Sequence, residues 1–212
     1  MVGTPRNLGR RVLWIVAFLL ACFVVKVTMH TWFERGTSEQ VRRAAQAQLD
    51  KFRAEATKEN PGVPEAIALQ EIATERGAAK LATQSGEQRI ETAAEMYYGY
   101  LALNTIARPA FCREQGIAIP AWTVAFETAN ASETARAREI FAKTGLSENH
   151  LYELFADQFK EFVALDMNQI ASDNKVPIRD ACKLLQDHAD EFVAIMRLDK
   201  SEPAVYKALM TP

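Results

Sequence analysis

Residues able to do chemistry are sparse in this chain of 212 residues. There are three histidines, His30, His150 and His188. His150 lies one helical turn before Glu153 and close to Asp157, a spacing that could offer two ligands to a metal ion. No H-x-x-x-H or E-x-x-H partner accompanies it, and such pairs arise by chance on charged helices, so a solvated helix face is the expected role. His188 stands among Asp187, Asp190 and Glu191, where a local charge interaction accounts for it. There is no G-x-S-x-G nucleophile elbow and no phosphate-cradling glycine loop, because the nine glycines are scattered and fall mainly at helix ends. Carboxylates are so numerous that spacing alone rejects only some catalytic pairs. The chain is read as a non-enzyme, with no catalytic residues, no metal and no cofactor.

Cys112 and Cys182 are the two cysteines outside an apolar N-terminal run. Their contexts, RPAFCREQG and IRDACKLLQDH, read as two helical pieces 70 residues apart, unlike a zinc knuckle or a C-x-x-C redox motif. A disulfide between them is expected, closing a loop worth about 4 kcal/mol in the chain-entropy model. The alternative is two free buried thiols in a cytosolic domain.

Two apolar stripes carry polar interruptions. Extending Ile90, Ala94, Tyr97 and Leu101 by helical steps reaches Asn104 and then Arg108. Extending Leu151, Phe155, Phe159 and Phe162 reaches Asp166 before Ile170. A buried charge without a partner is costly, so Arg108 and Asp166 are expected to pair, or to line a small polar pocket with Asn104. The alternative puts each at the edge of its stripe, facing water. The segment EMYYGYLALN sets Tyr97, Tyr98 and Tyr100 around Gly99 as candidate interface aromatics. Such clusters are also formed by core residues whose hydroxyls reach the surface. Asn130–Ala–Ser132 matches a glycosylation sequon, but Ser132 already has an expected role as a helix cap.

The elements that position these residues begin with GRRVLWIVAFLLACFVVKV, a basic start followed by an apolar run. No A-x-A-like cleavage site follows it. LLAC faintly resembles a lipoprotein signal, yet FVV continues the run past Cys22, which is read as one more apolar side chain. Residues 11–33 are expected to be a retained single transmembrane helix. Trp14 and Trp32 lie roughly 27 Å apart along a helix, close to the ~30 Å hydrocarbon thickness, and are read as the interface anchors. Lys26 sits near one end, where its ammonium reaches the headgroups. Arg6, Arg10 and Arg11 set against Arg35, Arg42 and Arg43 give a slight preference for residues 1–10 in the cytoplasm. The expected disulfide agrees, which places the rest of the chain in the periplasm or a similar oxidising space.

After residue 36 nothing reads as a strand, and the expected fold is all-α. Residues 36–85 are expected to form a helical hairpin or stalk. Thr37 starts a capping box, Val41, Ala45, Leu49, Phe52 and Ala56 form a narrow stripe, and ENPGVP breaks the pair. The second helix shows Leu69, Ile72 and Ala79 on one face, with Leu81 off it. Residues 86–212 are expected to be a multi-helix bundle. Its helices include one at 148–172 capped by Ser147, and one from Pro177 with Ile178, Cys182, Leu185, Ala189, Phe192 and Met196 on one face.

Setting aside residues 1–35 removes five of 25 basic side chains and one of 27 acidic ones, leaving 20 against 26, a net −6. That balance gives no electrostatic basis for nucleic-acid binding. The expected function is partner binding: a membrane-anchored helical domain acting as a subunit or accessory factor of a cell-envelope assembly. The alternatives are a carrier or sensor for a small molecule or lipid, and an inhibitor or immunity protein of an envelope-acting enzyme. Homo-oligomerisation is compatible with the sequence, but no feature of it gives support.

Overall fold

The structure, a computed structural model, describes residues 38–142 and 148–211. The expected span at 11–33 with Trp14 and Trp32, the capping box at Thr37 and the cap at Ser147 lie outside the described residues. Every regular element among the described residues is helical. In chain order these are α1 (Ser38–Glu59), α2 (Glu65–Thr83), α3 (Gly86–Ala102), a π-helical turn (Leu103–Ala107), α4 (Arg108–Glu114), α5 (Pro120–Ala129) and α6 (Ala131–Phe141). They continue as α7 (Glu148–Leu154), α8 (Ala156–Asn174), α9 (Ile178–Asp187), α10 (Ala189–Ile195), α11 (Leu198–Ser201) and α12 (Pro203–Met210). Among the described residues no helix is long and apolar enough to cross a membrane.

α1 and α2 form a hairpin across the ENPGVP break, where Gly62 takes a φ of +86° that few other residues tolerate. Ala45, Leu49, Phe52 and Ala56 of α1 are buried, one side chain per turn on one face. In α2 the face differs from the one expected: Ala79 is exposed and Leu81 is buried. The buried ridge steps every fourth residue through Leu69, Ala73, Gly77 and Leu81. Its small central residues allow close packing, and Gly77 faces Met96 of α3.

Polar contacts tie the hairpin to the bundle. Arg53 of α1 ion-pairs with Glu65 at 2.8 Å and with Glu161 of α8 at 2.6 Å. Gln158 Nε2 donates to Gln46 Oε1 at 3.0 Å. One continuous apolar core runs from Ala45 to Leu209 and includes both parts.

α3 is the centre of that core. Met96 to Leu103 are all buried, so the second half of the helix has no solvent face, and it packs against α6, α7 and α12. A helix apolar on every side must be enclosed, which is why EMYYGYLAL occupies this place. Two helices expected to be continuous are each broken. Phe155 (φ −122°) separates α7 from α8, and His188 (φ −123°) separates α9 from α10. The second break lets α9 pack on α8 while α10 turns to pack along α5. The apolar stripe runs through both breaks, so periodicity alone shows one helix where there are two. Pro120 opens α5, where its missing N–H leaves no bond unmade. Asn130, not Ser132, stands at the N-cap of α6; Ser132 lies in the first turn and donates to Glu133 Oε2 at 2.8 Å.

Candidate functional site

The polar interior is built around a fault in one helix. Pro109 has no N–H to give the Thr105 carbonyl, and its ring crowds that carbonyl. One turn upstream the helix widens into the π turn Leu103–Ala107. Turns of this kind release backbone carbonyls for other donors. Trp122 Nε1 of α5 donates to the Asn104 carbonyl at 2.9 Å, and Asn104 Nδ2 donates to the Tyr100 carbonyl at 2.9 Å.

Arg108 follows directly. Its Nε donates to Asn104 Oδ1 at 3.2 Å, and its Nη1 stands 2.6 Å from Asp166 Oδ2 and 3.2 Å from Met167 Sδ, both on α8. The guanidinium lies 5.4 Å from the Trp122 ring centroid. Arg108 Nη2 and Asp166 Oδ1 make no hydrogen bond. Burial pushes the Asp166 carboxyl above its ordinary value, opposed by the adjacent Arg108 guanidinium. The structure thus brings Asn104, Arg108 and Asp166 together as a sealed cluster. Neither groove described below is lined by any of them. A solute has no route to these atoms along either groove, and the cluster acts as a polar pin between the π turn, α5 and α8.

Cys112 and Cys182 lie beside this pin in the fold, joining α4 to α9 as a disulfide with Sγ–Sγ 2.07 Å and Cα–Cα 5.5 Å. Both residues are fully buried.

The three tyrosines are core residues, which corrects the reading of them as an interface patch. They fall on the enclosed half of α3, where every direction faces another helix. Tyr97 donates to the Asn130 carbonyl at 3.1 Å and meets Thr134 Oγ1 at 2.6 Å. Tyr98 stacks on Phe141 with ring centroids 4.6 Å apart. Tyr100 donates to the Met196 carbonyl and receives a bond from Ser201 Oγ at 3.4 Å. Burial drives its phenol well above the ordinary range. Asn130 is also interior: its Nδ2 donates to the Phe126 carbonyl at 3.0 Å and its Oδ1 accepts Leu198 N–H at 3.1 Å. Folded, it is closed to glycosylation. Sequence reasoning did not single out Glu202, which is buried beside α2 and accepts a bond from Thr74 Oγ1 at 2.8 Å. Burial pushes its carboxyl up to about 8, opposed by that bond. A lone glutamate between Ser201 and Pro203 carries no periodic signal that would mark it as interior.

Among the grooves that reach solvent, two are lined by described residues. One, of about 490 Å³, runs between α5 and α10. Its α5 wall carries Val124 and Thr128 with Ala121, Ala125 and Ala129, and its α10 side carries Val193 and Ala194 between Asp190 and Arg197 near the two ends. Val124 is 64% exposed, against 37% for Val63, the other large exposed apolar side chain among the described residues. The other groove, of about 450 Å³, lies between the π turn and α6, lined by Thr105, Ile106, Glu127, Thr134 and Arg138. Two of its hydroxyls are already committed, Thr105 to the Leu101 carbonyl at 2.8 Å and Thr134 to the Asn130 carbonyl at 2.9 Å.

His188 makes a local pair with Glu191 at 3.2 Å, and His150 is half-buried on α7. Among the described residues no group of three histidine, cysteine or acidic side chains is placed to hold a metal ion. No protein-family model, no curated protein and no solved structure matches this chain.

Proposed function

We propose that this chain is a membrane-anchored helical domain on the periplasmic side of the cytoplasmic membrane. It binds a partner through the groove between α5 and α10, as a subunit or accessory factor of a cell-envelope assembly. The observation that carries this reading is Val124, the most exposed large apolar side chain described, standing in a groove whose α5 wall otherwise consists of three alanines and Thr128. An isolated exposed valine is ordinary on a protein surface. One set beside a row of small side chains offers a knob and a channel together, the arrangement that admits a partner helix. Covering a valine contributes about 1.5–3 kcal/mol. An anchor at residues 11–33 would concentrate the domain at one surface, so that a modest interface suffices.

The second groove supports a small-molecule carrier less well, because two of its hydroxyls are satisfied internally. The apolar run at 11–33 and the Cys112–Cys182 bond support the anchor and the oxidising compartment.

The test compares maleimide labelling of Val124→Cys, in a Cys22→Ser background, between dilute purified full chain and the native cell fraction. Glu139→Cys, on exposed α6 surface, is the control. Position 124 should label quickly when purified and at least tenfold more slowly in the native fraction, while position 139 labels alike in both. Equal labelling of position 124 in the two samples would remove the docking reading.

A further inference from the structure

We infer that the α5–α10 groove takes a second copy of this chain, paired about a two-fold axis. This rests on the reading of that groove as a docking surface, and names its occupant. Two features of the groove are self-complementary. Val124 and, one turn on, Thr128 project from α5, and the small alanines at 121, 125 and 129 lie beside them, so each copy supplies both a ridge and a place for one. A two-fold interface requires this, because the same patch must serve as both partners.

Charge gives the second argument. Asp190 lies in the first turn of α10 and Arg197 just beyond its last residue, roughly 10 Å away at the rise of a helix. The groove therefore has an acid at one end and a base at the other. A two-fold axis perpendicular to the groove reverses its direction, placing Asp190 of one copy opposite Arg197 of the other, twice per dimer. A parallel arrangement would oppose like charges, which is unfavourable. Arg197 Nε is engaged by Asp199 at 3.0 Å within its own chain, which leaves the outer guanidinium nitrogens to face the partner.

Size sets how tightly the copies pair. α5 has 10 residues and α10 has 7, and two short helices offer less than the ~800 Å² per partner of a standard stable interface. Pairing through this groove is therefore weak between dilute chains and depends on confinement at one surface, where collisions are frequent and orientations limited.

The experiment uses full chain in its native cell fraction, Cys22→Ser throughout, with Asp190→Cys and Arg197→Cys as separate variants. Both positions are exposed, and the native disulfide is buried away from the reagent. Under mild oxidation, cells making both variants should give at least tenfold more covalent dimer than cells making either alone, because only the mixed pair sets the two cysteines face to face. Adding Val124→Glu to both should abolish that dimer. Equal yields from single and mixed samples would indicate random collision and overturn the pairing, as would no dimer at all. If position 124 is nonetheless protected from maleimide in the same fraction, a different partner covers the groove. If position 124 labels freely, the docking reading falls as well.

Discussion

Arg108 Nη1 and Asp166 Oδ2 stand 2.6 Å apart between the start of α4 and the middle of α8, with side chains 0% and 8% exposed. Each is the other's counter-ion in an apolar interior; Arg108 Nη2 and both Asp166 oxygens lack a well-aligned hydrogen bond, Oδ2 having only the ion-pair contact. Such a pair is costly to break and nearly dispensable as a unit. Asp166→Ala should lower the unfolding free energy by about 3–5 kcal/mol, because it strands the guanidinium. Arg108→Met with Asp166→Leu should recover most of that loss. Urea denaturation of the two variants decides it, and a single variant that costs under about 1 kcal/mol would contradict the assignment.

The Cys112–Cys182 bond closes a 70-residue separation in the chain. Its loss should cost about 4 kcal/mol, mainly by releasing the unfolded chain. Denaturation with and without reductant measures this, and coincident curves would mean that the bond adds no stability. Because both cysteines are buried, reduction should become complete only as the fold opens.

Glu202 gives stability a pH dependence with a definite sign. Its carboxyl moves from an ordinary 4.5 to about 8 in the fold because burial disfavours the ionised form. The folded state therefore holds a proton that the unfolded state releases first. The associated stability is complete below about pH 4.5 and is lost as pH rises through about 8. Glu202→Gln should be flatter across that window, gaining on wild type by a few kcal/mol at its upper end. Thermal melts of both at pH 5 and pH 9 test it; parallel shifts would show that Glu202 is not the titrating group.

Gly77 sits inside α2 on the buried face. A Cβ there would meet Met96 Cε at 3.7 Å and Sδ at 4.0 Å, ordinary contact distances. Gly77→Ala should therefore stabilise the protein by about 0.5–1 kcal/mol, the usual gain for alanine over glycine within a helix. A loss of stability would show that the α2–α3 approach is tighter than these distances indicate.

The helical class and the stripe Ala45–Leu49–Phe52–Ala56 are legible because burial on one face leaves a period in the sequence. Arg108 and Asp166 are legible for the same reason, as polar residues standing where that period demands apolar ones. α2 misleads because its ridge passes through Ala73 and Gly77, small residues that carry little hydrophobic signal. The tyrosines mislead for the opposite reason: a fully enclosed helix has no polar face to show which way it points. The breaks at Phe155 and His188 leave the stripe intact and so leave no trace. The groove beside Val124 is tertiary, made by α10 lying along α5 from a distant part of the chain, and no local pattern announces it.

The most direct test of the docking surface is photocrosslinking in living cells, with benzophenone-alanine at position 124 of the full chain and at position 139 as the control. The account predicts discrete crosslinked products from position 124, including one at twice the mass of the chain, and none of comparable yield from position 139. Products of similar pattern and yield from both positions would contradict it.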